Sequence, residues 1–402
     1  MCLIVQKFGG SSVKDAACIA RVAGIIAKTY QAGNDVLVVL SAQGDTTDEL
    51  IEKAHGVCSC VPVREMDMLI STGEQVSVAL CAMALAGLGV PAVSLTGYQA
   101  GVMTDGVFGN ARIQTINTAR ILSELAQRKV VLVTGFQGMS SGGDITTLGR
   151  GGSDTSAVAL AAALGAQECQ IYTDVDGVYT ADPRIVPDAQ KLDAVAMSEM
   201  LELASQGAQV LHDRSVELAQ KHDVELRVLS SIEEAEGTHI GKNAVIEKRS
   251  VTGITRSMAL TRFRLCTRSS ERSFMRRIIR LAASCGARLD AVWQYECAED
   301  VQRICLTVPT ADAPVLAQEL ADHAEEFSLD DVSTDEDIAT VSVVGAGVMS
   351  DAFVLYEAME ALAAEDIAVQ GIETGALRIA LLVSKGDAER AMCAIHARLV
   401  ER

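Results

Sequence analysis

Residues 149–156 read Gly-Arg-Gly-Gly-Ser-Asp-Thr-Ser and run straight into Ala-Val-Ala-Leu-Ala-Ala-Ala-Leu. Glycines let a backbone turn tightly and approach a ligand, and the first N–H groups of a helix have no partner within it. An arginine, hydroxyls and an acid at such a helix start make an anion site suited to phosphate or carboxylate. Taken alone, the stretch reads equally well as a turn with a Ser/Asp N-cap.

A second element of the same kind lies near the N-terminus. Leu3-Ile4-Val5 reads as a buried strand, Lys7-Phe8-Gly9-Gly10-Ser11-Ser12 as a glycine turn, and 13–30 as a helix capped by Ser11 or Ser12 and ended by Gly33. A lysine at a strand's carboxyl end, beside glycines that open a helix, suits the β- and γ-phosphates of a nucleotide. The P-loop spacing is nevertheless absent: the nearest approach, 237–243, has the wrong spacing and no hydroxyl after Lys242. Protein-kinase loop signatures are missing too.

Four more polar clusters accompany these loops: 41–48, 71–75, 172–184 and 207–212. Singly, each is an ordinary cap or turn. The elements between them alternate. Strands are expected at 36–41, 91–95, 130–134 and 170–173. Helices are expected from 48, over most of 65–88, as an amphipathic stretch over 111–128, and at 156–164. This alternation predicts an α/β fold, a mostly parallel sheet covered by helices on both faces, with ligands beyond the carboxyl ends of the strands. The glycine loops and polar clusters after Val5, Leu40, Thr134 and Tyr172 fall there.

Near 237–257 the chain turns polar, which predicts a domain boundary. Beyond it stand two similar short units, each with strand, helix and two strands, so this half reads as a duplication of small β-α-β-β-α modules. Composition narrows the function classes. A formal charge of −19 opposes a nucleic-acid surface, which needs clustered Lys and Arg. No apolar run is expected to span a membrane, and Met1-Cys2-Leu3 lacks a basic leader, so a cytoplasmic location is expected. The eleven cysteines include only a Cys58-x-Cys60 and no zinc-type pairing, and the six histidines form no ligand motif. Reduced, mostly buried thiols and no protein-held metal are expected.

Together and in this order, the segments 7–11, 41–50, 71–77, 149–156 and 172–184 resemble the aspartate kinases of the amino-acid kinase family. The resemblance covers nearly the whole chain, because that family also carries tandem ferredoxin-like ACT modules. It implies a three-layer α/β/α catalytic domain over 1–245. A first ACT module would follow at 255–330, with 387–402 able to complete it, and a second at 335–386. It further implies transfer of the ATP γ-phosphate to the β-carboxylate of L-aspartate, giving 4-phospho-L-aspartate and ADP. That reaction opens the route to lysine, threonine, methionine and isoleucine. The nucleophile is ionised at neutral pH, its pKa being about 3.9, so no general base is needed. Alignment of two anions and neutralisation of charge remain as the catalytic tasks.

By the family's pattern Lys7 touches the transferring phosphate, and the N–H groups of Gly9, Gly10 and Ser11 cradle the phosphates. Arg150 pairs with a substrate carboxylate and Glu74 meets the α-ammonium. Thr47, Ser153 and Asp154 orient the amino acid, Asp154 also counting with Lys7 as catalytic. Ser41, Thr173, Asp174, Tyr179, Asp182 and Arg184 match nucleotide contacts. Mg²⁺ would arrive with ATP. An amino-acid effector at the ACT modules and a homodimer formed through them are the implied partners.

Two departures stand out. Gln209 occupies a position where the family has a nucleotide-reaching lysine, which implies ATP binding weaker by ten-fold or more for a lost charged hydrogen bond of roughly 1.5–3 kcal/mol. Asp213 replaces a proline and is expected to N-cap 214–221. The first ACT loop, 267–273, has neither proline nor glycine, whereas 344–350 keeps a glycine cradle, so feedback by lysine or threonine is expected to be weak or altered. An amino-acid-sensing pseudokinase, or a kinase of this fold with another acceptor, are the alternatives.

Overall fold

Continuous apolar runs such as Val-Leu-Val-Val-Leu at 36–40 build a sheet buried on both faces. The computed structural model describes residues 2–242, 250–268, 273–297 and 301–400. The chain divides into two units, Met1–Thr180 with Ala189–Lys248, and Ala181–Asp188 with Arg249–Arg402.

The first unit holds an eight-stranded sheet of β1 (Leu3–Phe8), β2 (Asp35–Leu40), β3 (Ala92–Leu95), β4 (Val130–Thr134), β5 (Glu168–Thr173), β6 (Ala194–Ala196), β7 (Leu226–Ser230) and β8 (Thr238–Gly241). Their order is β6-β8-β7-β5-β1-β2-β4-β3, parallel throughout except for β7–β8. Eight helices accompany it in the described residues: α1 (Ala16–Gln31), α2 (Thr46–Val57), α3 (Val63–Ile70), α4 (Thr72–Gly87), α5 (Ala119–Leu125), α6 (Gly152–Leu164), α7 (Met197–Ser205) and α8 (Asp213–His222). Val22, Ala23 and Ile26 of α1 and Val78, Cys81 and Leu85 of α4 share one core with Val36, Val38, Leu40, Val130 and Leu132. Glycine elements and polar clusters thus gather at the carboxyl ends of β1, β2, β4 and β5.

Several local expectations are corrected. Residues 10–13 form a 3-10 turn, and α1 begins only after Asp15, whose side chain accepts from Cys18 N at 2.8 Å. Ser12 does not cap because its hydroxyl donates to Ser231 Oγ at 2.8 Å, fastening the glycine turn to the end of β7. The stretch 111–128 is not one helix. Ile-Gln-Thr-Ile at 113–116 pairs as a strand with Val102–Thr104, in a side sheet completed by Gln137–Ser140 and Ile145–Thr147. Its β-branched residues suit the pleat, and only α5 stays helical.

The stretch Val63–Gly87 does reach the length and apolarity of a membrane span, with mean hydropathy 1.5. It breaks at Ser71 and carries a buried Asp67 and Glu74, as a core helix pair does. The thiols are also less buried than expected. Cys18, Cys81 and Cys169 lie inside, whereas Cys2, Cys58 and Cys60 are exposed, and every described cysteine is free.

The second unit contains two antiparallel four-stranded sheets. One is built from β10 (Leu260–Thr267), β11 (Ala291–Cys297), β12 (Val301–Pro309) and β13 (Leu329–Asp335), in the order β11-β12-β10-β13, with α9 (Phe274–Ser284) and α10 (Ala313–Asp322). Phe263, Phe274, Ile278, Leu306 and Leu316 lie in its core. The other takes β9 (Gly253–Ser257), β14 (Ala339–Val344), β15 (Gly371–Gly375) and β16 (Arg378–Val383), in the order β9-β14-β16-β15, with α11 (Ala352–Ala364) and α12 (Ala388–Leu399). The 253–257 strand therefore pairs into the second sheet, and α12 packs against α11, β9 and β14 rather than completing the first. One module is inserted into the other between β9 and β14.

Candidate active site

Lys7 sits one residue before the end of β1, level with Val39 and Ile171 on its neighbours. Its Nζ lies 2.6 Å from Asp154 Oδ1, and both side chains are only 12% exposed. Asp154 belongs to the first turn of α6, where the helix dipole and free N–H groups favour an anion. This ion pair joins the two glycine elements into one centre.

Close backbone approach explains the glycines. A Cβ on Gly10 would stand 2.8 Å from Ala42 O and 3.2 Å from Gly44 O, and Gly44 N donates to Gly10 O at 3.0 Å. The turn after β1 is thereby laced to the one after β2 that holds Ser41 and leads to Thr47 in α2, both half-buried. A Cβ on Gly135 would meet Ser153 Oγ at 2.6 Å, which sets the end of β4 against α6. The α6 N-cap is not a serine or aspartate but Gly151 itself, at φ +67; Ser153 and Asp154 lie inside the first turn. The expected side-chain cap fails because a left-handed glycine already turns the chain into the helix. Arg150 is exposed, and no partner of its side chain is found among the described residues.

Glu74 opens α4 and is buried, its Oε1 accepting from Ala42 N at 3.2 Å. Gly73 before it packs on Ala42, where a Cβ would come within 2.7 Å. The second oxygen, Oε2, is buried without a hydrogen-bond partner, as is Thr134 Oγ1 at the end of β4. Burial pushes the Glu74 carboxyl up to about 7, against hydrogen bonds from its own N–H, Ala42 and Gln137. An unpartnered buried carboxylate oxygen fits a cationic guest.

The other expected residues divide. Thr173 donates to Asp174 Oδ1 at 3.0 Å just beyond β5, and Tyr179 OH donates to Asp176 at 2.8 Å. Lys191 Nζ stands 3.4 Å from Asp176, a cation the sequence reading did not single out. Asp182 and Arg184 lie in the 181–188 segment that packs with the second unit, where they pair with each other at 2.7 Å. Gln209 is exposed on the loop between α7 and α8. Asp213 is the first helical residue of α8 and His212 the cap, so the expected Asp213 N-cap is corrected; its carboxylate accepts instead from Arg214 N at 2.7 Å.

Three residues around the Arg150 loop were not proposed from sequence. Asp67 is 1% exposed and accepts from Gly109 N, Thr147 N and Thr147 Oγ1 at 2.7–3.1 Å. Arg214 donates to Leu148 O at 2.7 Å and Ala111 O at 2.8 Å. His212 lies over Gly151, where a Cβ would stand 2.1 Å from its ring. No periodicity links positions 42 to 103 residues apart, so no local signal marks these pairs.

In the second unit, 269–272 of the 267–273 loop lie outside the described residues. In the second loop, Gly345 N donates to Leu377 O at 2.9 Å and Gly347 N to Ser250 O at 3.2 Å. These two cradle donors are already engaged.

Residues 3–230 match the amino acid kinase family and 341–399 an ACT domain. The chain is 43% identical over 402 residues to the aspartokinase of Mycobacterium tuberculosis (strain ATCC 25618 / H37Rv), covering 98% of this chain and 96% of that one. It is 42% identical over 397 residues to aspartokinase 2 of Bacillus subtilis (strain 168), covering 98% and 97%. Among solved structures, E. coli aspartokinase III in complex with aspartate and ADP (R-state) aligns over 99% of both chains, with a TM-score of 0.86 and 26% identity.

The Glu74 carboxyl leaves a mark on stability. Its folded pKa of about 7 lies above the ordinary carboxyl value of 4.5, so the folded protein binds the extra proton between those values. That contribution is complete below pH 4.5 and lost as pH rises through 7. Glu74→Gln should therefore raise Tm at pH 8 and change it little at pH 5; equal shifts at both, in thermal melts, would show that this carboxyl does not titrate as described.

Proposed function

We infer that this chain, which belongs to the amino acid kinase family, is an aspartate kinase that transfers the ATP γ-phosphate to the β-carboxylate of L-aspartate. The observation that carries the residue-level reading is the Lys7–Asp154 pair, which puts the lysine-bearing glycine turn and the Arg150 loop at one point.

In this reading a β-carboxylate oxygen attacks the γ-phosphorus, the bond to the β–γ bridging oxygen breaks, and ADP leaves with that electron pair. Lys7 stands at the meeting point and balances charge on the moving phosphoryl group, exchanging part of its contact with Asp154 for phosphate oxygens. Gly9, Gly10 and Ser11 line the phosphates with their backbone. Arg150 grips a carboxylate of aspartate with its planar fork, which suits that role better than a lysine. Glu74 takes the α-ammonium on its unpartnered Oε2, and Thr47 and Ser153 orient the acceptor. Ser41, Thr173, Asp174 and Tyr179 are assigned to the nucleotide by the family pattern, together with Asp182, Arg184 and Gln209.

Among the described residues no cluster of three or more His, Cys, Asp or Glu has the arrangement of a metal site. We assign Mg²⁺ to the ATP phosphates and water, where it would add to charge neutralisation. A cytoplasmic location and a homodimer joined through the ACT modules belong to the same proposal. The exposed Met349, Phe353 and Tyr356 of the second module offer apolar surface for such pairing.

ADP release with a panel of amino acids, with hydroxylamine trapping the acyl phosphate, tests the activity. Product should form with aspartate alone; no turnover, or a preference for another acceptor, overturns the reading. In the same assay Arg150→Ala should raise the aspartate KM at least ten-fold and leave the ATP KM within two-fold. An equal rise in both would place the loop on the nucleotide side. Gln209→Lys restores a charged donor and should lower the ATP KM several-fold; an unchanged value shows that Gln209 does not limit ATP binding. Because the glycine N–H groups of the second ACT loop are engaged, lysine or threonine below 1 mM (roughly the upper end of the usual KM scale) should leave the initial rate unchanged. Strong inhibition by either at that level sinks this part of the proposal.

A further inference from the structure

Arg150 is exposed and finds no side-chain partner among the described residues, so its position rests on the backbone that carries it. That backbone is held from both sides by one short segment. Ahead of Arg150, the Arg214 guanidinium forks onto Leu148 O at 2.7 Å and Ala111 O at 2.8 Å. Ala111 N donates back to Thr147 O at 2.8 Å, and Thr147 is fixed by its N–H and hydroxyl on the buried Asp67. Behind Arg150, Gly151 adopts φ +67 with the His212 ring seated on it, leaving no room for a Cβ.

Two carbonyls in fixed positions suit an arginine, whose rigid fork donates along parallel directions; a lysine's point charge serves one of them well. Arg214 is half-buried, which strengthens those hydrogen bonds, and its desolvation is the largest influence on its lowered pKa. Gly151 follows Arg150 directly and Leu148 stands two residues before it, so the freedom of its main chain is limited on both sides by what Arg214 and His212 hold.

We propose that Arg214, together with His212 seated on Gly151, is a positioning residue that presents Arg150 to the acceptor carboxylate. The 207–212 cluster and the start of α8, read from sequence as a nucleotide element through Gln209, thus serve the acceptor side at their far end. This rests on the assignment of Arg150 to aspartate. It requires that disturbing Arg214 reach the substrate only through Arg150.

Steady-state kinetics of Arg214→Met, Arg214→Lys, Arg150→Ala and the double variant Arg150→Ala/Arg214→Met test it, with thermal melts to confirm folding. Arg214→Met should raise the aspartate KM about ten-fold with the ATP KM within two-fold, a loss of about 1.4 kcal/mol. Arg214→Lys should fall between it and the parent. In the Arg150→Ala background, Arg214→Met should add nothing further to the aspartate KM. An unchanged aspartate KM, an equal rise for ATP, or full additivity in the double variant overturns the inference while leaving the Arg150 assignment intact. If Arg214→Met does not fold, Arg214→Lys decides alone, and a parental aspartate KM in it refutes the proposal. If Arg150→Ala itself fails to discriminate aspartate from ATP, the assignment falls and this inference with it.

Discussion

A lysine with 12% of its side chain exposed needs a counter-charge, and Lys7 finds one 2.6 Å away in Asp154. Removing either partner would strand a charge in a poorly hydrated place, which costs far more than the pair itself contributes. The geometry of the centre follows from this contact. It fixes the end of β1 against the first turn of α6, and with them the two glycine elements that meet there. Larger residues at Gly10 or Gly135 would push the backbones apart by their clash with Ala42, Gly44 and Ser153. The glycines are therefore a steric condition of the ion pair as much as a means of approaching phosphate.

The same centre holds groups that the fold leaves unsatisfied. Glu74 Oε2 and Thr134 Oγ1 are buried without partners, where such atoms usually cost stability. A site prepared for a charged guest has this character, because the interactions are completed by substrate and not by the protein. The surrounding scaffold is well bonded by comparison. Asp67, Thr147, Arg214 and Ala111 satisfy one another around the Arg150 loop, so the open valences face inward from a stiff frame.

Part of the candidate centre was legible in the sequence, since Lys7, Glu74, Arg150 and Asp154 lie in short segments whose composition betrays strand end, glycine turn and helix start, and the structure brings Lys7 and Asp154 together. The parallel sheet was legible for a similar reason: buried strands are continuous apolar runs, and helices repeat near 3.6 residues. Local competition was harder to read. Ser12 gave up its cap for Ser231, Gly151 replaced the expected Ser/Asp cap, and Ile-Gln-Thr-Ile at 113–116 left the helix for a side sheet. For Ser12 and for 113–116 a partner outside the local segment prevailed over the local preference, and at α6 the left-handed turn of Gly151 did.

By itself the sequence determined most elements of the parallel sheet, the chemistry available at each glycine loop and the family resemblance, because these depend on neighbours along the chain. Only the tertiary structure decided which elements share a unit. It gave 253–257 and α12 to the second sheet and 181–188 to the second unit. It also decided that Asp67, His212 and Arg214 surround the loop carrying Arg150. Those contacts join positions tens of residues apart through directional hydrogen bonds and close packing. Their geometry comes into being when the sheet and its helices close on one another, and no pattern along the chain encodes it.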